Sequence, residues 1–203
     1  SIMTGLRPDT LDMHTLKHEL REKNPEVVTL GQLFRNNGYY SARAGKIYHY
    51  GNPSMIGTDG NDDMATWDER HNPIGIDRSQ QEKITRYGAG QENNSNLGIS
   101  MAWWDPISRD DEHTDGMVAS EIVELIGQNK DKPFFLAAGF FNPHCPYVAP
   151  KKYFDLYPLD RINMPDLEAA KRDLKDVPAM AVTRDMKNWP YYFKDVSVDE
   201  ARK

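Results

Sequence analysis

The sequence predicts an α/β fold, a three-layer sandwich of helices over a mainly parallel sheet. Three observations predict it. Helical periodicity alternates along the chain with short apolar runs. The run Phe134-Phe135-Leu136-Ala137-Ala138-Gly139 is apolar throughout, as a strand buried on both faces would be. The stretch from Leu30 to Tyr48 reads as a helix joined to a strand by a short link, the connection expected of such folds.

In chain order, Ser1 to Gly5 reads as the last turn of a helix. Arg7-Pro8-Asp9-Thr10 reads as its break, because proline pushes its predecessor out of the helical region. Residues 15–24 are polar and poorly periodic. Thr29 is an N-cap for a helix over 29–37, where Leu30, Leu33 and Phe34 fall at i, i+3, i+4 and Asn37-Gly38 ends the helix. Residues 39–47 follow as a strand. Residues 51–113 are rich in Gly, Asn, Asp, Ser and Pro, show no long periodic segment, and read as a loop-rich insertion. Thr114 or Asp115 opens a helix over 114–128, with Val118, Ile122, Leu125 and Ile126 inward and Glu121, Glu124 and Gln128 outward. A turn over 129–132 leads into a strand over 133–139. From Pro146 onward proline and aromatic residues give an extended, loop-rich tail, and Val196 to Lys203 reads as the first turn of another helix.

The chain has 203 residues, enough for one domain or part of a larger one. Its 38% hydrophobic content and mean hydropathy of -0.74 are low for a complete domain, while 10% aromatic residues argue against disorder. A net charge of -6 without any Lys/Arg-rich run excludes a general nucleic-acid binder. No apolar run approaches the ~18 residues of a membrane span. The first residue is Ser rather than Met, so a missing signal peptide says nothing about export. The single Cys145 excludes an internal disulfide framework and a multi-Cys zinc site.

Two basic clusters follow the two clearest strands. Gly45-Lys46-Ile47-Tyr48-His49 closes the first, and Asn142-Pro143-His144-Cys145-Pro146 follows the second. A lysine there supplies a fixed positive charge, and a histidine can move protons near neutral pH. Taken singly, each has a plainer reading as a surface lysine, a loop histidine or a capping histidine. Taken together, at the carboxyl ends of strands in an open α/β sheet, they favour a site for a compact anion. A Cys145–His144 dyad is disfavoured, because such pairs meet in space from distant positions; a packed thiol is the default.

Asp59-Gly60-Asn61-Asp62-Asp63 has the acidic spacing of a calcium loop. It then fails, with Met64 in place of the turn glycine and Arg70 in place of the bidentate glutamate, and reads as a solvated turn. Asp110-Asp111-Glu112-His113 fits the positive end of the following helix better than a metal cluster. Trp103-Trp104 and Tyr191-Tyr192-Phe193 serve either sugar stacking or packing.

In order and spacing these segments resemble the sulfatase family, and its iduronate-2-sulfatase-like branch in particular. Thr4-Gly5-Leu6-Arg7-Pro8-Asp9-Thr10 resembles the tail of the signature Cys-x-Pro-Ser-Arg, four variable residues, Thr-Gly. Gly45-Lys46-Ile47-Tyr48-His49 resembles the family's Gly-Lys-x-x-His segment. Phe134 to Ala137, Pro143-His144-x-Pro146 and Pro150 to Leu159 resemble the branch's next segment, so the likeness runs from residue 1 to about 160.

The resemblance implies an alkaline-phosphatase-like sandwich, of which residues 1–203 form an incomplete part of one catalytic domain with 51–113 inserted. It implies hydrolysis of sulfate esters, on a sulfated carbohydrate in the manner of polysaccharide degradation, in the periplasm or outside the cell. Its nucleophile would be a formylglycine made from the signature Cys, which spacing puts about six residues before Ser1. Its calcium ligands would lie outside this chain, so no metal ligand is expected within it. Lys46 would bind sulfate, His49 would help the formylglycine shed sulfate, and His144 would contact sulfate and protonate the leaving alcohol. Asn142 stands where the branch often has lysine and would contact sulfate or sugar without charge. The chain by itself would be inactive and would self-associate through exposed core surface. Two other readings stand beside this one. One is a phosphate- or phosphonate-ester hydrolase of the same superfamily; the other is a non-catalytic glycan-binding protein with the same fold.

Overall fold

A computed structural model of the chain describes residues 1–16, 18–86, 97–99 and 102–163, with residues 169, 172, 177 and 178. The aromatic run Tyr191-Tyr192-Phe193 and the helix start at Val196 lie outside the described residues. The chain divides into two compact units, Ser1–Gln81 with Ser108–His144, and Glu82–Ile107 with Cys145–Lys203.

The first unit is built on a parallel sheet. Its central strand β1 (Tyr40–Gly45) lies between β2 (Glu69–His71) and β5 (Phe134–Gly139). The register runs Tyr40 opposite Phe134 through Gly45 opposite Gly139, so both strands end level at their carboxyl ends. β2 comes from within 51–113, a region without periodic signal. It is three residues long, too short for period-2 alternation to be seen, and it is recruited by pairing with Ala42 to Ala44.

Helix α3 (Leu30–Asn36) precedes β1 as expected. Thr29 Oγ1 accepts from Gln32 N at 3.3 Å while Gln32 Oε1 accepts from Thr29 N at 3.4 Å, a reciprocal cap. The face it buries differs from the periodic one. Leu30 and Leu33 are exposed, whereas Gly31 is buried, and a Cβ there would come within 2.5 Å of Thr66 Cγ2. Close approach of the helix, not leucine packing, sets this contact. Phe34 reaches inward and stacks on Phe135 at 4.7 Å, and Trp67 lies parallel to Phe135 at 6.0 Å.

Helix α5 (Thr114–Asn129) packs on β1 and β5. The pleat separates the two faces of β1. Ser41 and Arg43 point to the side of α3 and the 59–72 loop; Ala42 and Ala44, both fully buried, point to the side of α5. His71, opposite Ala44, confirms the second side by pairing with Glu121 of α5 at 2.9 Å. Val118 and Leu125 are buried as expected, but Ile126 is exposed. β5 itself is only half-buried for most of its length, against the expectation of a strand covered on both faces. Among the described residues it has a sheet partner on one side only.

Pro8 does not break a helix. Residues 1–5 form a turn closed by Gly5 N donating to Ser1 O at 2.8 Å, and Pro8 opens a one-turn helix, α1 (Pro8–Leu11). At a first helical position the missing N–H costs nothing and the fixed φ is already helical. A second single turn, α2 (Leu20–Lys23), lies in the stretch read as aperiodic.

The largest correction concerns Asp59 to Asp63, which is not a solvated turn. Arg43, 1% exposed, donates Nε to Asp62 Oδ2 at 2.6 Å, and the Asp62 side chain is 2% exposed. The same guanidinium reaches Asp59 at 3.1 Å, Asn72 Oδ1 at 2.6 Å, and the carbonyls of Gly45 at 3.0 Å and His71 at 3.1 Å. Asp63 is equally buried and takes Arg21 on both oxygens, at 2.8 and 2.9 Å, and Thr66 Oγ1 at 2.6 Å. Asp62 and Asp63 are drawn inside because two arginines distant in sequence compensate them.

The second unit carries a small mixed sheet, β3 (Thr85–Arg86), β4 (Ala102–Trp104) and β6 (Tyr147–Val148), with β4 central, antiparallel to β3 and parallel to β6. Ile84, Leu97, Ala102 and Val148 form its core with Trp104 against them. Trp103 packs on Phe154 of the one-turn helix α6 (Lys151–Phe154) at 6.2 Å. Cys145 Sγ donates to the Gly98 carbonyl at 2.9 Å, a packed thiol.

Three single substitutions and one double variant test this framework. A Cβ on Gly45, whose φ is +75°, would lie 2.1 Å from Gly139 O, and one on Gly139 would lie 2.0 Å from Lys46 O. Each Gly→Ala change should therefore destabilise the chain by at least about 2–3 kcal/mol in a urea melt. Arg43→Met should cost about 3–5 kcal/mol by leaving Asp62 buried and unpaired. Adding Asp62→Asn should recover part of that loss, and a double variant as unstable as the single would refute the pairing.

Candidate functional site

The site is assembled where β1 and β5 end side by side. The two glycines, Gly45 and Gly139, let the strand ends approach until Lys46 N donates to Gly139 O at 2.9 Å. Lys46 thus leaves the sheet directly beside the start of the loop that carries His144. Any side chain at either glycine would hold these segments apart, which is why the sequence spends two glycines at one level of the sheet.

Lys46 is half-buried, and burial holds its pKa below the usual 10.5. His49, exposed in the turn that follows, also has its pKa lowered from 6.5. Partial desolvation is the main cause, and the positive charges of Lys46 and His144 add to it. Both sequence clusters therefore act on one histidine, although they lie about a hundred residues apart. Two groups that can carry positive charge, Lys46 and His144, thus bear on a third, His49, at the carboxyl end of a parallel sheet, and together they form a local field suited to an oxyanion in a chain of net charge -6.

His144 lies in a turn in which its N–H donates to Phe141 O at 2.9 Å. Asn142 is placed next to it with its amide Nδ2 donating to Asp115 Oδ2 at 3.0 Å. One N–H of that amide is thereby used and the other remains for a ligand. Tyr48, between Lys46 and His49, turns inward. Its hydroxyl is 3.0 Å from Thr66 Oγ1, and burial pushes its pKa up to about 12. It anchors the segment and stays neutral.

Sequence reasoning missed Asp115, whose carboxylate takes the backbone N–H groups of Phe141 at 2.7 Å and Asn142 at 3.0 Å. Its position at the start of a helix was visible; its second engagement, with a loop 26 residues on, had no local signal. Beside His49 a cavity of about 500 Å³ is lined by Met3, Leu11, Leu16, Ile47 and Asn61 among others. Among the described residues no group of three or more His, Cys, Asp and Glu side chains could hold a metal ion, and no helix is long and apolar enough to cross a membrane.

Comparison with known proteins points to one family. The sulfatase family model matches residues 1–175. A sulfatase of Formosa agariphila is 28% identical over 90% of this chain and 36% of its own length. Iduronate 2-sulfatase of Mus musculus is 30% identical over 81% of this chain and 29% of its own length, and choline-sulfatase of Rhizobium meliloti is 25% identical over 100% and 39%. The chain thus spans about a third of the length of the curated relatives it matches. With a parallel α/β sheet whose strand ends carry Gly-Lys-x-x-His and Pro-His-x-Pro, and with the family model matched over most of its residues, the chain belongs to the sulfatase family.

Proposed function

We propose that this chain supplies the sulfate-holding part of a sulfuric-ester hydrolase of the iduronate-2-sulfatase-like type, acting on a sulfated carbohydrate in the periplasm or outside the cell. The observation that carries this reading is that the strands leading to Lys46 and to the His144 loop are adjacent, parallel and end level, with Lys46 N donating to Gly139 O at 2.9 Å; the lowering of the His49 pKa by the charges of Lys46 and His144 supports it. The likeness to iduronate 2-sulfatases of mouse and human supports the branch.

In this reading residues 1–203 are part of one catalytic domain. Lys46 pairs with the sulfate oxygens, and its partial burial strengthens that pairing by limiting water screening. Partial burial, with the charges of Lys46 and His144 added to it, disfavours protonation of His49; a bound anion favours its protonated, hydrogen-bond-donating form. His144, exposed at the loop tip, contacts sulfate and gives a proton to the departing alcohol. Asn142 adds its remaining amide N–H.

The family's calcium and formylglycine do not fit the described residues of this chain. Asp59, Asp62 and Asp63 are engaged by arginines, and the Cys145 thiol is packed on Gly98 and followed by Pro146-Tyr147-Val148. No step is routed through either group; both belong, in this proposal, to residues outside 1–203. The chain alone binds the anion without turning it over, and it self-associates through exposed residues such as Ile2, Leu16 and Val123.

Titration of His49 and His144 by NMR tests the reading. Inorganic sulfate should raise the His49 pKa and shift the His144 ring signals, and Lys46→Met should raise the His49 pKa without sulfate and weaken the sulfate response. Histidine signals that ignore sulfate would sink the proposal, and turnover of an aryl sulfate by this chain would sink its inactivity. The lowered His49 pKa also fixes a pH dependence. The unfolded chain binds the proton first, so the contribution of His49 to stability is complete above about pH 6.5 and is lost as pH falls through the folded pKa. In Lys46→Met that loss should be smaller.

A further inference from the structure

The loop that delivers His144 has no helix or strand of its own. It leaves β5 at Gly139, and His144 at its end is exposed. One carboxylate holds it. Asp115 Oδ1 accepts from Phe141 N at 2.7 Å, and Asp115 Oδ2 accepts from Asn142 N and Asn142 Nδ2, both at 3.0 Å. Phe141 is fixed a second time, because its ring is buried against Tyr50 and Ile56. The carbonyl of this pinned residue accepts from His144 N.

Asp115 is itself anchored. The preceding residue, Thr114, is fully buried; its N and Oγ1 both donate to Asp77 Oδ1, at 2.9 and 2.7 Å, and its Oγ1 accepts from Gly75 N at 3.0 Å. A continuous set of hydrogen bonds thus runs from the short helix α4 (Ile76–Ser79) through Thr114 and Asp115 to the His144 turn.

We propose that Asp115 is the positioning residue for His144, setting through the Phe141 and Asn142 backbone where the His144 ring stands relative to Lys46 and His49. The proposal rests on reading His144 as a sulfate-contacting group. Charge-assisted bonds to two successive N–H groups from one carboxylate are the strong kind, and they fix orientation as well as distance. A carboxylate in the first turn of a helix also interacts with the helix dipole, and that plainer role makes a different prediction. The dipole needs only negative charge near the helix start, whereas positioning needs a carboxylate of this length.

Two variants separate the roles. Asp115→Glu keeps the charge and lengthens the arm; Asp115→Asn keeps the length and turns an amide N–H toward the N–H of Asn142. If Asp115 positions His144, both variants speed hydrogen exchange of the Phe141 and Asn142 amides by at least about tenfold. Both also raise the His49 pKa as the His144 charge moves off, and both weaken the sulfate-induced shift at His144 more than that at His49. Asn142→Ala, which removes one of the three bonds to Asp115 along with the amide N–H left for a ligand, gives the same changes in amide exchange and His49 pKa at smaller size and covers the case in which an Asp115 variant does not fold. A silent Asp115→Glu, or a His49 pKa and His144 sulfate response unchanged in all three variants, overturns the proposal. If wild-type His144 ignores sulfate, the functional reading fails, while the exchange rates and the His49 pKa still decide whether Asp115 positions the loop.

Discussion

A guanidinium almost without access to water sits in the middle of the central strand, and the first unit is arranged around it. A guanidinium carries a fixed charge and five N–H donors, so burying Arg43 is tolerable only if those donors find acceptors. Asp62, Asp59, Asn72 and the carbonyls of Gly45 and His71 supply them. The consequence spreads outward. The 59–72 loop is drawn onto the sheet, Trp67 is brought over Phe135, and β2 is delivered to the edge of β1. Because one of the five partners is Gly45 O, the same cation also fixes the strand end from which Lys46 departs. Arg21 repeats the device next door, holding Asp63 and, through Gln32 Oε1 at 2.7 Å, the start of α3.

The site that results is made of repulsions held in place by the fold. Partial burial and the charges of Lys46 and His144 all oppose protonation of His49, and a bound anion would offset the two charges. The scaffold around these groups is accordingly stiff: a glycine pair at the sheet end, an inward-turned Tyr48, and a loop hung on Asp115. Exposed groups lose little charge interaction to desolvation and much to water screening, so what the structure supplies is direction more than energy.

Much of this was legible locally. The reciprocal cap at Thr29, the left-handed Gly38 with φ +83°, the strand leading to Lys46, and the helix from Thr114 to Asn129 follow from short-range signals, since caps, turns and periodicity are decided within a few residues. The misreadings share a cause too. Asp62 and Asp63 looked solvated because their arginines lie 19 and 42 residues away. Leu30 and Leu33 looked like the buried stripe because periodicity ranks side chains by apolarity, whereas the sheet accepted Gly31. The apolar run of β5 looked doubly covered because composition cannot say which strand lies at an edge.

The sequence by itself determined the longer elements α3, β1, α5 and β5, the α/β class, and the two clusters that mark the sulfatase family, because each is written in contiguous residues. Only the tertiary structure decided that the charges of Lys46 and His144 bear on His49, that Asp115 takes the backbone of the His144 loop, and that Asp62 and Asp63 are internal counter-charges. Those facts depend on strand order and register, and hydrogen bonds and charge interactions act through space over a few ångströms regardless of how far apart the residues stand along the chain.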